Sequence, residues 1–65
     1  MASDELAPLR KLVHDLRSPL AVVEGFATFL ARDEGKLTEE QRRDFAQRVA
    51  SGAADMRKLL DDAAP

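Results

Sequence analysis

The chain has 65 residues and a mass of 7.2 kDa, less than one ordinary domain, and a single core of that size supplies only a few kcal/mol, so some further staple such as oligomerisation is needed. No cysteine and one histidine exclude a disulfide framework and leave a structural metal site without enough ligands. Ten basic against twelve acidic side chains with no Trp or Tyr offer nucleic acid neither an electrostatic footprint nor stacking platforms, while 45% apolar content is too high for a disordered tail.

Leu6, Leu9, Val13, Leu16, Leu20, Val23, Ala27 and Leu30 recur at intervals of 3, 4, 3, 4, 3, 4 and 3. This heptad seam predicts a helix over about 5–32. In the following stretch, Arg32-Asp33-Glu34-Gly35-Lys36-Leu37, Gly35 can take the left-handed backbone that ends a helix, so a turn is expected over about 33–37. Thr38-Glu39-Glu40-Gln41 fits a capping box, with two acids at the positive helix start. It opens a second helix over about 38–63, whose seam is Phe45, Val49, Gly52, Met56, Leu59 and Ala63. The chain therefore reads as one domain, residues 1–65, all-α, folded as an antiparallel helical hairpin. A helix of about 26 residues is near 39 Å long, and one hairpin has no second layer to close over its seams. Two hairpins bury both seams in a four-helix bundle. A homodimer is the expectation, and the alternative is a hairpin packed on another domain of its own chain.

Three residues break local rules. Pro19 lies inside the first helix, where it removes an amide donor, costs roughly 3 kcal/mol and implies a kink. Gly25 costs about 1 kcal/mol there relative to Ala. Gly52, in the second helix, falls near the Ser18-Pro19 level when residues are paired about Gly35, where it makes room for the bend. His14 falls on the outward side of the first helix, and Ser18, Ala21, Gly25 and Thr28 follow at intervals of 4, 3, 4 and 3, lining the same face. That face lacks the Glu, Lys, Arg and Gln that normally fill a helix surface. Small residues suit close approach by another protein, or they reflect an Ala-rich chain. Val22 and Phe29, with Phe26 on the flank, add apolar surface beside the stripe.

Val13-His14-Asp15-Leu16-Arg17-Ser18-Pro19-Leu20 resembles the H-box of sensor histidine kinases, the motif of their HisKA dimerisation and histidine-phosphotransfer domain. The hairpin length and second helix extend the resemblance over nearly the whole chain. It implies that His14 is phosphorylated on a ring nitrogen, with ATP as donor and a response-regulator aspartate as acceptor. A neutral imidazole suits this, since one nitrogen attacks while the other keeps the proton. By the same resemblance Asp15 hydrogen-bonds the far ring nitrogen, and Ser18 stands where Thr or Asn commonly places water for dephosphorylating the regulator. Ser departs from that pattern, lacking the methyl group that constrains Thr. Arg17 either steadies phosphoryl charge or is a solvated cation. The regulator is expected to dock through Arg17, Ala21, Val22, Gly25 and Phe26, helped by the first half of the second helix.

Family members bind ATP and Mg in a separate C-terminal domain with Asn- and Gly-rich boxes, and this sequence carries neither those boxes nor a P-loop. The chain is expected to bind no cofactor itself and to be inactive alone, either as an excised subdomain or as a stand-alone phosphoacceptor. No apolar run approaches the ~18 residues of a membrane span and no leader pattern is present, so a cytoplasmic location is expected, with any anchor elsewhere in a parent protein. Two rival functions share the helices. A monomeric relay-type phosphotransfer domain usually has Lys and Gly soon after its histidine, where Arg17, Ser18 and Pro19 stand here. A non-catalytic coiled-coil adaptor accounts for the seams but not for Pro19 or the small face.

Overall fold

The computed structural model describes the backbone of residues 2–64 and the side chains of residues 6–64. Two helices, α1 (Ala2–Ala31) and α2 (Glu39–Ala63), pack against each other as an antiparallel hairpin, with no strand among the described residues. α1 starts earlier than the expected position near residue 5, and it continues unbroken through Pro8 and Pro19.

The turn is held by one carboxylate. Asp33 Oδ1 accepts from the backbone N–H groups of Gly35, Lys36 and Leu37 at 3.0, 3.0 and 3.1 Å, and its Oδ2 accepts from Arg42 at 2.7 Å. Gly35 has φ +82°, a left-handed conformation that carries a steric penalty for any side chain. α2 then opens on the expected capping box. Thr38 Oγ1 accepts from Gln41 N–H at 3.0 Å, and Gln41 Oε1 accepts from Thr38 N–H at 2.9 Å, satisfying two amides that the helix start leaves without partners.

The inner face of α1 is Leu12, Leu16, Pro19, Val23, Phe26 and Leu30, all half-buried against Phe45, Val49, Met56 and Leu59 of α2. This differs from the expected seam. Leu16, Val23 and Leu30 do face α2, but Leu6, Leu9, Val13 and Leu20 stay 43–56% exposed, while Leu12 and Phe26 take their places. The reason is the width of the apolar sector. α1 is apolar on two adjoining edges that share Leu16, Val23 and Leu30, so the heptad count found their average direction, and α2 covers only one edge.

Gly52 is buried between the helices at the Pro19 level. A Cβ built there would lie 2.7 Å from Val23 Cγ2 and 3.1 Å from the Pro19 carbonyl oxygen, as expected of a glycine that makes room at the proline level. Nearer the turn, Phe26, Phe29 and Phe45 form an aromatic cluster with ring centroids 5.1–6.2 Å apart, within the favoured range for tilted pairs. The Arg48 guanidinium caps the Phe26 ring at 5.3 Å.

The hairpin is a rod of 55 × 18 × 11 Å, one helix thick in its smallest dimension. Its radius of gyration is 15.7 Å, against about 11 Å for a compact chain of this length. Among the described residues no apolar side chain is fully buried. Among the described residues, no helix is long and apolar enough to cross a membrane.

Candidate functional site

α1 carries every residue of the H-box on one continuous helix, so 100° of rotation per residue decides where each points. His14 is exposed, and Ser18, Ala21, Gly25 and Thr28 are exposed below it, forming the small outward stripe read from the spacing. A Cβ on Gly25 would meet nothing within 4 Å; the hairpin itself has no packing need for glycine there. Thr28 turns its hydroxyl back to donate to the Glu24 carbonyl at 2.7 Å, so the stripe stays sterically low.

The other expected site residues divide between the two flanks. Arg17 lies on the flank of the uncovered leucine edge, where it shares an open hollow with Arg10, Val13 and His14. Asp15 is half-buried on the opposite flank, beside Lys11, Leu12, Leu59 and Asp62. Consecutive helix residues do not face each other, and the side-chain hydrogen bonds of the described residues lie elsewhere, in the turn, along α2 and at Thr28. The expected bond from Asp15 to the imidazole is thus absent from this arrangement. Ser18 and Val22 open onto the groove between the helices, opposite Asp55, Lys58 and Asp62 of α2. Pro19 faces inward onto Gly52. Phe26, expected on the flank of the stripe, is instead half-buried against Phe45, and Phe29 is the ring left 58% exposed.

The first half of α2, which the sequence reading brought into docking without naming residues, borders this groove. Gln47, Arg48 and Ser51 border Pro19 and Val22, and Asp55 continues the wall. The register that located Gly52 would have placed them, had it been applied to the neighbouring positions. Arg10 was missed as well, although it precedes His14 by one helical turn.

Chemically, the arrangement offers one solvent-accessible imidazole, a low face beneath it that a partner can approach closely, and a groove with mixed charge on its α2 wall. The model of the family described as the His Kinase A (phospho-acceptor) domain matches residues 9–63, both helices and the turn between them. No curated protein and no solved structure matches the chain. With the match covering most of its length, on a helical hairpin that displays the H-box histidine, the chain belongs to the His Kinase A (phospho-acceptor) domain family.

Proposed function

We propose that this chain is the phosphoacceptor and dimerisation unit of a sensor histidine kinase, taking a phosphoryl group on His14 and passing it to an aspartate of a response-regulator receiver domain. One observation carries the reading: the chain's only histidine stands exposed on α1, within the matched region, above a face of small side chains. ATP and its Mg are held by a separate ATP-binding domain.

In the first step the lone pair of one ring nitrogen forms a bond to the γ-phosphorus. The bond from phosphorus to the bridging oxygen breaks, and ADP leaves with that electron pair. The second ring nitrogen keeps its proton during attack and releases it afterwards to Asp15 or to water. Asp15 meets the ring only when a rotamer change brings the two together. In the second step the N–P bond breaks as a receiver carboxylate oxygen bonds phosphorus, and the ring recovers its electron pair and takes back the proton released earlier, leaving as a neutral imidazole. By the family resemblance Ser18 would orient water for hydrolysis of the regulator's aspartyl phosphate, a role it would fill without the methyl group that constrains Thr.

Dimerisation is supported by the surface left open. A compact monomer of this mass exposes about 4,100 Å², and this hairpin exposes 5,427 Å². The excess, roughly 1,300 Å², exceeds the ~800 Å² per partner of a standard interface. The edge of Leu6, Leu9, Val13 and Leu20 is where a second hairpin completes a four-helix bundle.

The test supplies the ATP-binding domain in trans. Wild-type chain should gain acid-labile, base-stable phosphate, His14→Gln should gain none, and Asp15→Asn should gain it several-fold more slowly with helicity unchanged. Equal labelling of His14→Gln overturns the assignment. Failure of the wild type to label at all favours the adaptor reading.

A further inference from the structure

The arginines of α2 are matched by acids one turn away: Arg43 with Glu39, Arg48 with Asp44 and Arg57 with Asp61. Arg42 closes on Asp33. Arg10 and Arg17 on α1 have no carboxylate three or four residues away in either direction, and among the described residues neither takes part in an ion pair. Lys11, one residue from Arg10, points instead to the flank that holds Asp15 and Asp62.

What stands one turn from both arginines is His14, four residues after Arg10 and three before Arg17. In the single hairpin the three line one hollow with Leu6, Leu9 and Val13, the edge that the second hairpin covers in the proposed dimer, so the seat is the outer rim of that hollow and not its floor. Residues three and four apart on a helix have Cβ atoms about 5–6 Å from each other, well within the span of an arginine side chain. The guanidinium groups can stay at that solvent-facing rim, on the His14 side of the edge. Without a phosphoryl group the two cations have no carboxylate one turn away to pair with. A phosphoryl group on that ring changes the balance, because it brings negative charge and three acceptor oxygens that the arginine fork can bind bidentately.

Building on the assignment of His14 as phosphoacceptor, we propose that Arg10 joins Arg17 in a two-arginine seat for the phosphoryl group, drawing an anionic donor to the ring and holding its oxygens during transfer. Both guanidinium groups stay protonated throughout. The ring nitrogen supplies the pair for the new N–P bond, and the leaving group departs with the pair from the bond that breaks.

Phosphoramidate tests this on the full chain without an ATP-binding domain, since its P–N bond breaks and ammonia leaves as the ring is phosphorylated. Rates of phosphate gain are compared for wild type, Arg10→Gln, Arg10→Lys and His14→Gln at low and high salt, with helicity and sedimentation recorded for each. Arg10→Gln should be slower by about three- to tenfold at low salt, the range expected for one exposed charge-assisted contact. The gap should narrow at high salt, because the screening length falls from about 30 Å at 0.01 M to about 3 Å at 1 M. Arg10→Lys should lie between the two, keeping the charge without the fork. Helicity and dimer mass should not change. Arg10→Gln reacting at the wild-type rate while His14→Gln stays unlabelled overturns the arginine seat alone. A dimer weakened by Arg10→Gln also overturns it, by making Arg10 an interface residue. Labelling of His14→Gln at the wild-type rate overturns the phosphoacceptor assignment beneath it.

Discussion

Gly52 and Gly25 break the same helix rule for opposite reasons. At Gly52 the added methyl of an alanine would collide with Val23 Cγ2 and the Pro19 carbonyl. Val23 is β-branched and stiff, and the carbonyl is backbone, so neither yields easily. Gly52→Ala gains about 1 kcal/mol of helix propensity but incurs about 1–3 kcal/mol of overpacking. A lower Tm by circular dichroism is the expected outcome, and a higher one would mean the helices have room to spare. Gly25 meets nothing, so Gly25→Gln should raise Tm through propensity, by up to about 1 kcal/mol per chain. The same substitution should reduce phosphotransfer to the receiver domain, because it fills the stripe below His14. If Tm rises and transfer is unchanged, docking lies elsewhere. The purpose of Gly52 was legible in the sequence because counting outward from Gly35 put it opposite Pro19. Asp15 was less legible, since adjacency in sequence to His14 concealed that a helix turns the two side chains to different sides.

Among the elements, the turn depends most on a single residue. The Arg42 hydrogen bond first, then the backbone N–H of Leu37, hold the Asp33 carboxyl below the usual aspartate range, and its side chain is only 8% exposed. Because the folded value is lowered, the stability Asp33 contributes is fully present above the unfolded value of about 3.9 and is lost as pH falls through the lowered folded value. Asp33→Asn should therefore lower Tm near neutral pH and flatten the acid limb of the Tm–pH profile. An unchanged acid limb would show that other carboxylates control it. The sequence announced the capping box, since its four residues are contiguous. It did not announce Asp33 as the turn's anchor, because the three amides that converge on Oδ1 are brought together only by the left-handed step at Gly35. The helix seam was legible in direction but not in width: Leu12 and Phe26 take inner positions that a strict heptad assigned to Val13 and Ala27.

At the scale of the molecule, a rod one helix thick in which no described apolar side chain is fully buried has only one side of a core. Leu20 separates the two possibilities well, because in a lone hairpin it is already 43% exposed and a surface substitution there would change stability by at most about 0.5 kcal/mol. In a four-helix bundle Leu20→Glu puts an unpaired charge in the core. Sedimentation should find the wild type dimeric and Leu20→Glu monomeric with reduced helicity, whereas a folded wild-type monomer at micromolar concentration would remove the dimer from the account. In the proposed dimer the bundle would give the phosphoacceptor a rigid platform, and the proposed acceptor role of His14 is the claim on which the rest depends. Its most direct test uses the fact that the chain has one histidine: label the His14 ring with nitrogen-15, phosphorylate the chain with its ATP-binding domain, and record the ring nitrogens by NMR. One of the two nitrogens should shift and show coupling to phosphorus while the other stays free of it. A chain that carries phosphate while both ring nitrogens keep their original signals would contradict the account.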